Sequence, residues 1–497
     1  MAAARRWAIL AVALCAPVAA AAAEPCTLPG GDGWTAHRTA HFDVFLGPRS
    51  RARIADLAAQ LERTRALVVT GIAGEEVDIP GRIRVVAFDT AEDFRRTTGS
   101  PEATAFSIAG PVTGRATLAL YVEGVEADAE VVARELAGWV SYDLYPRRRA
   151  WFAAGLATFV QTVALPQQDA PPPDAGARAA PGEVSGMAGL ATPKLSRWVD
   201  VVPLVDAADL LAWRGQEDDG GKHGAWSWLL YHWLSDTRAK PFGDLSARLS
   251  RGEDPDAAWL AAFPDLDPAR PDAMKRLSRD VDKYRRKGAY PAYRIRARAE
   301  VASSEVPLSR GDLHVAVLEA RPAEPAAAAT RAALKEALRE EPGHAVATAW
   351  LARLDGTSAA PAMRERTRAA PGDGWAWLEL GRALGAEAQA AERETALGKA
   401  APLLPEEAPA HVELARAQVA SGKLREALAS ANRGVELAPW SPGAVAVLAE
   451  VAARLGKCPE ATTLRRRSLE AAAPAGPQDA ATRRALGEVE ERCAKPR

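Results

Sequence analysis

The sequence predicts a chain in two parts: an α+β N-terminal domain with a helical subdomain, followed by an all-α solenoid. Two observations carry this. Between residues 41 and 125, short apolar runs with period-two alternation are interleaved with charged segments of helical spacing. From about residue 308 the composition turns Ala-rich, and stretches of helical pattern split by Pro and Gly recur every 34 residues.

The N-terminus stands apart from both. Arg5 and Arg6 precede an apolar stretch over residues 7–20, and Ala21-Ala22-Ala23 supplies small residues for cleavage. Residues 1–23 therefore read as a signal peptide cut after Ala23, giving a periplasmic or secreted protein. No later run is apolar over a bilayer-spanning length without charge, so no stable membrane insertion is expected after cleavage. Lys+Arg 63 against Asp+Glu 64 gives a formal net charge of -1, which argues against a dedicated nucleic-acid binder. Export makes disulfides permissible, and Cys26, Cys458 and Cys493 survive cleavage.

The elements follow in order. Residues 24–164 form an α/β subdomain. Its strands are expected at residues 41–46, 82–88, 105–108 and 116–122. Ile54, Leu57, Leu61 and Leu67 mark one face of a helix over residues 50–70. A short helix follows at 91–98, and two more at 127–145 and 149–163. Residues 165–197, with Pro171-Pro172-Pro173, are expected to be a loop. Residues 198–305 form a helical subdomain with Trp226, Trp228, Trp233 and Trp259 on its apolar faces. Residues 306–497 form the solenoid, ending in a polar capping helix over 477–494.

The repeat is explicit. Gly422-Lys423-x-x-Glu426-Ala427 recurs as Gly456-Lys457-x-x-Glu460-Ala461, and Pro371, Pro405 and Pro439 keep the same spacing of 34 residues. So do Leu380, Leu414 and Leu448, each followed by a small residue: Gly381, Ala415 and Ala449. Trp377-Leu378-Glu379-Leu380-Gly381 resembles the W-x-x-L-G signature of the tetratricopeptide repeat, with Ala427, Ala461 and Pro439 at its later small and proline positions. Three repeats are expected at 374–407, 408–441 and 442–475, preceded by irregular helix pairs over 310–371. The resemblance implies a concave face that binds a protein or peptide. In this layout Cys458 falls in the turn before the last repeat's second helix, and Cys493 lies near the far end of an antiparallel capping helix. A Cys458–Cys493 bridge is therefore expected, which leaves Cys26 unassigned.

Residues 130–161 carry a second resemblance, in Glu130, the Arg134-Glu135-Leu136-Ala137-Gly138 stretch, and Trp151-Phe152-Ala153-Ala154-Gly155-Leu156-Ala157. This looks like the two active-site helices of the gluzincins in the peptidase MA superfamily. In that family H-E-x-x-H holds zinc, and a glutamate of the second helix is the third ligand. Here Arg134 and Gly138 stand at the two histidine positions and Ala154 at the third-ligand position; Glu135 keeps the general-base position. An arginine has no lone pair to donate, and Gly and Ala have no ligating atom. Ser227-Trp228-x-x-x-His232-x-Leu234 is similar to the helical subdomain of the same family, with Gly224 where a tyrosine is expected. His223 and His232 are read as packing residues. The fold implied is a gluzincin-like α+β domain with degenerate metal site, then a tetratricopeptide solenoid.

The expected function is that of an exported, non-catalytic pseudopeptidase that binds proteins or peptides as a scaffold or assembly factor, with no metal and no cofactor. Arg134 is expected to sit near Glu135 or Glu130 in place of a cation. The edge strand, expected near 115–122, offers a site for strand addition. The alternative is a divergent metal-dependent peptidase that uses Glu135.

Overall fold

The computed structural model describes residue 28 and residues 31–100, 103–110, 112–165, 182–215, 221–321, 327–385, 389–472 and 479–494. The expected signal peptide, Cys26 and the Pro171-Pro172-Pro173 run lie outside the described residues.

Eight strands build two sheets among these residues. β1 (Thr35–Arg38), β2 (Phe42–Leu46), β3 (Ile83–Phe88), β4 (Ala105–Ala109), β5 (Ala116–Tyr121) and β8 (Ser304–Val306) form a 6-stranded sheet in the order β4-β5-β3-β2-β1-β8. β6 (Glu183–Ala188) pairs antiparallel with β7 (Tyr293–Arg298). β2, β3 and β5 run parallel, while β1, β4 and β8 pair antiparallel with their neighbours. The parallel centre needs crossovers. α1 (Ile54–Ala73) supplies the first, between β2 and β3, and α2 (Ala91–Thr98) lies in the second. Thr90 caps α2 by accepting the Asp93 N–H. β3 and β5 are buried along nearly their whole length, as strands covered on both faces must be.

Three expectations change here. First, residues 116–121 are not an edge. The tight turn between β4 and β5, with Gly114 at φ +67°, folds β4 outside β5, so the edge is β4. Second, the span 165–197 is not all loop, because it contains β6 and the start of α6 (Pro193–Val201). Inside β6, a Cβ on Gly186 would lie 2.4 Å from the Val163 carbonyl oxygen, so close packing requires glycine. Third, the span 198–305 is not purely helical. It contains β7, and β8 straddles its boundary to close the large sheet against β1.

α3 (Val122–Ala127), α4 (Ala129–Leu144) and α5 (Ala150–Val160) follow the sheet. The helical subdomain comprises α6, α7 (Ala207–Ala212), α8 (Lys222–Thr237), α9 (Ala239–Ser250), α10 (Pro255–Ala262) and α11 (Pro271–Lys287). One hydrophobic core runs from α1, α4 and α5 into α8, with Phe152, Leu156, Trp228 and Leu229 buried together. Gly155 sets the crossing of α5 on α8, since a Cβ there would stand 2.5 Å from the Ser227 carbonyl oxygen.

The solenoid begins with α12 (Arg310–Glu319), α13 (Ala327–Glu340), α14 (Ala345–Leu354) and α15 (Ala360–Ala369). Regular pairs follow: α16 (Gly374–Ala383) with α17 (Ala390–Leu403), α18 (Ala408–Ala420) with α19 (Leu424–Leu437), and α20 (Pro442–Arg454) with α21 (Cys458–Ala472). First helices start at 374, 408 and 442 and second helices at 390, 424 and 458, each step being 34 residues. The signature residues sit at the helix contacts. A Cβ on Gly381 would lie 2.5 Å from Leu397, and Ala415, Ala427, Ala449 and Ala461 are fully buried. Trp377 Nε1–H donates to the Pro371 carbonyl at 2.9 Å, and one period later His411 Nε2–H donates to the Pro405 carbonyl at 3.3 Å. Leu380 and Leu448 are buried, and Leu414 packs beside Leu378 and Leu397. Pro439 follows the end of α19, and its carbonyl accepts from Arg467. α22 (Ala480–Cys493) caps the end and is itself capped by Asp479. A disulfide joins Cys458 to Cys493, with Cα atoms 5.3 Å apart and a sequence separation of 35. Closing a loop of that length stabilises the end of the solenoid by about 2–4 kcal/mol.

The two parts are not separable at residue 306. Leu313, Ala316 and Val317 of α12, with Ala320 just after it, pack on the sheet face formed by Trp34, Val86, Phe88 and Ala119. Beside them the fully buried Glu319 accepts from Arg84 Nη1 of β3 at 2.8 Å, and from Thr113 Oγ1 and the Val112 and Thr113 amides at 2.6, 3.0 and 2.7 Å. Gly110 leaves room for this carboxylate: a Cβ there would meet it at 2.7 Å.

These contacts set the cost of substituting them. Glu319→Ala leaves Arg84 buried without its counter-charge and is expected to lose about 3–5 kcal/mol in urea unfolding; a loss under about 1 kcal/mol contradicts the anchoring role. Gly155→Ala is expected to destabilise by about 1–3 kcal/mol through overpacking. Gly138→Ala, with no atom within 4 Å of the added Cβ, is expected to gain up to about 1 kcal/mol of helix propensity.

Candidate functional site

α4 brings Arg134, Glu135 and Gly138 to one region, and α5 places the half-buried Ala154 on the next helix. Glu135 Oε2 accepts from both the backbone N–H and the hydroxyl of Ser107, at 3.0 and 2.6 Å. Ser107 lies in the middle of the edge strand β4. The carboxylate thus covers an edge amide that has no strand partner on that side. The Arg134 Nε stands 3.8 Å from Glu135 Oε1, with both side chains partly exposed, a geometry that contributes little to stability. Glu130 is buried, and its Oε1 has no hydrogen-bond partner. Burial, followed by the Asp128 charge, pushes its carboxyl above the ordinary range, opposed by Lys194 and Arg134. The expected guanidinium–carboxylate juxtaposition therefore involves Glu135; Glu130 feels Arg134 only as a nearby charge.

The surroundings are those of packed helices. His232 is fully buried; its Nε2–H donates to the Gly189 carbonyl at 3.1 Å and its Nδ1 accepts from Tyr284 at 3.0 Å. Burial lowers its pKa, so the ring is neutral. His223 stacks on Trp213, with centroids 5.1 Å apart. A Cβ on Gly224 would lie 3.0 Å from the Trp198 ring, so Trp198 of α6 covers that position. Among the described residues no group of three or more His, Cys, Asp or Glu stands close enough to hold a metal ion.

A larger concavity lies on the solenoid. It has a volume of about 840 Å³ and is lined by residues of α14, α16, α17, α18, α20 and α22. Glu379 is fully buried at its floor, gripped by Arg353 Nη1 and Arg382 Nη1 at 2.6 Å each. One period later Glu413 takes Arg393 Nη2 at 3.0 Å and Arg416 Nη1 at 2.7 Å. Burial would raise the Glu413 carboxyl, but Arg416, Arg382 and Arg393 outweigh it and hold it below its ordinary range. Arg454 bridges Glu450 and Glu488 at 3.0 and 3.4 Å. Arg382 also donates to the Val112 carbonyl at 3.3 Å, so the β4–β5 turn forms one end of the groove. The apolar repeat signature gave no sign of these charges. Their own signal was present as Glu379-Leu380-Gly381-Arg382 and Glu413-Leu414-Ala415-Arg416, one period apart. The third repeat departs from it, with Val447 and Glu450.

Further contacts fix the solenoid against the α+β part. Arg115 pairs with Glu407, Arg82 with Glu406, and the Trp139 ring meets Trp440 edge-on at 4.5 Å. Buried Arg147 bonds Asp254 of the helical subdomain and Glu470 of α21 at 2.9 and 3.1 Å. Near this seam burial pushes Asp143 up to about 7 and Arg467 down to about 10.

No protein-family model matches the chain, and no curated protein matches it. Among solved structures, the chain is similar to a thermophilic TPR protein of Thermus thermophilus, at 21% identity and TM-score 0.27, over 33% of this chain and 90% of that one. It is also similar to a MamA RS-1 ArsTM double mutant, at 18% identity and TM-score 0.24, over 29% and 83% respectively. The solenoid assignment rests on the 34-residue helix spacing above.

If Glu135 is an edge-strand cap, Glu135→Ala should speed hydrogen exchange at the Ser107 amide about tenfold. Glu135→Gln, which keeps an accepting oxygen, should retain most of the protection. Unchanged exchange in Glu135→Ala, read by mass spectrometry of peptides spanning β4, contradicts the capping role.

Proposed function

We propose that this protein is an exported, non-catalytic pseudopeptidase whose solenoid binds a protein or peptide, acting as a scaffold or assembly factor in the periplasm or outside the cell. The observation that carries the binding role is the groove of about 840 Å³ on the concave face of the repeats. Export rests on the Arg5-Arg6 and apolar pattern of residues 1–23. No helix of the described residues is long and apolar enough to cross a membrane. The gluzincin resemblance rests on the residues of α4 and α5. In this reading their frame is kept while the zinc positions are lost to Arg134, Gly138 and Ala154. The bonds from Ser107 to Glu135 support a structural use of that carboxylate. They weigh against the alternative of a metal-dependent peptidase, in which it must hold a water molecule.

A photo-crosslinking residue placed at Ala420 in the groove of the full mature chain should capture a defined partner from an envelope extract. The same residue at Asp280, on the helical subdomain, should not. Crosslinks only at Asp280 contradict groove binding. Chelator-sensitive peptide cleavage that is lost in Glu135→Ala contradicts the non-catalytic reading.

A further inference from the structure

We propose that the ligand of the concave groove is an acidic peptide segment bound in extended form. This rests on the protein-binding reading above and specifies the chemistry of the partner. Six arginines and four glutamates line the groove, an excess of two positive charges. Their depth matters more than their number. Glu379 is 0% exposed, whereas Arg353, which grips it, is 44% exposed. Arg454 is likewise 30% exposed over Glu450 at 15%. Arg484, on the capping helix, is exposed at the groove wall. Arg393 and Glu413, by contrast, are buried alike, so the guanidiniums that face solvent are those of Arg353, Arg454 and Arg484, and an incoming chain meets these three positive charges first.

Arg353 reaches Glu379 through Nη1 alone, at 2.6 Å. A guanidinium carries five donors on a planar fork, and its remaining edge matches a carboxylate in bidentate geometry. The floor glutamates hold these arginines in place before binding, which reduces the side-chain entropy lost on association. The groove crosses the first helices α14, α16, α18 and α20 and ends on the capping helix α22. At the usual helix spacing that is roughly 40 Å, the reach of about a dozen extended residues. A small anion would leave most of it empty. An extended peptide also presents backbone N–H donors that the interleaved glutamates can accept, donors that a phosphate backbone lacks.

The test uses the full mature chain and fluorescent random-sequence peptide pools of equal length: Asp/Glu-rich, neutral and Lys/Arg-rich. A single-stranded oligonucleotide serves as the polyanion comparison, and binding is read by anisotropy at low and high salt. The acidic pool should bind about tenfold more tightly than the neutral one, and high salt should reduce that preference. Arg484→Glu should weaken acidic binding about threefold to tenfold without shifting the melting temperature, and Arg484→Lys should retain most of it. A preference for neutral or basic peptides, still competed from the groove, overturns the acidic class and leaves the protein-binding reading intact. Tighter binding of the oligonucleotide also overturns it. Absence of binding by every probe overturns both readings.

Discussion

The architecture depends on where one carboxylate is placed. Glu319 ends the first helix of the solenoid, yet every group it bonds belongs to the sheet: Arg84 of β3 and the turn between β4 and β5. A buried carboxylate is tolerated only when a counter-charge and hydrogen bonds replace its water. Here it has a guanidinium, two amides and a hydroxyl. These groups come from parts of the chain some two hundred residues apart in sequence, so none can be satisfied until the sheet and α12 have met. The interaction adds specificity to a contact that the apolar cluster of Trp34, Phe88, Leu313 and Val317 already makes favourable. It also fixes the start of the solenoid, and with it the direction in which every later repeat is laid down.

That direction determines the rest of the seam. Once α12 is fixed, the inter-repeat turns are carried along one side of the α+β part. Glu406 and Glu407 meet Arg82 and Arg115, Trp440 meets Trp139, and Glu470 meets Arg147. The contacts come roughly one per repeat, as expected when a regular solenoid lies along a rigid surface. An unattached solenoid can flex between repeats; this one is held along its length. Its concave face therefore has a defined shape, closed at one end by Val112.

The sequence made the solenoid legible because its information is local. Each repeat folds against its neighbour, so the spacing of Leu380, Leu414 and Leu448 reports the three-dimensional period directly. The Cys458–Cys493 pairing was legible for the same reason, once two antiparallel helices were drawn. Strand order was not. β8 pairs with β1 across more than 250 residues of chain, and β6 pairs with β7 across an entire helical subdomain. No periodicity within either strand encodes its partner. Gly186 shows the same limit on a smaller scale, because its reason is the Val163 carbonyl pressed against it. The groove charges fall between these cases. Their period was visible, but apolar signatures draw attention to the faces that pack and away from the face left open.

The same distinction bears on Glu135. On the pseudopeptidase reading, loss of the zinc ligands would leave a partly buried carboxylate with neither metal nor water to satisfy it. Such a group must be replaced or find donors, because an unpaired charge near a helix–sheet contact is destabilising. Ser107 provides two donors, and Arg134 adds a positive charge 3.8 Å away. Arginine at that position therefore does two things. On that reading it would lack the lone pair that zinc needs, and it would place a positive charge, weakly coupled through solvent, beside the carboxylate. A histidine-to-alanine change would have achieved only the first. The edge of β4 benefits as well, since the carboxylate that once served chemistry on this reading now covers an amide open to unwanted pairing.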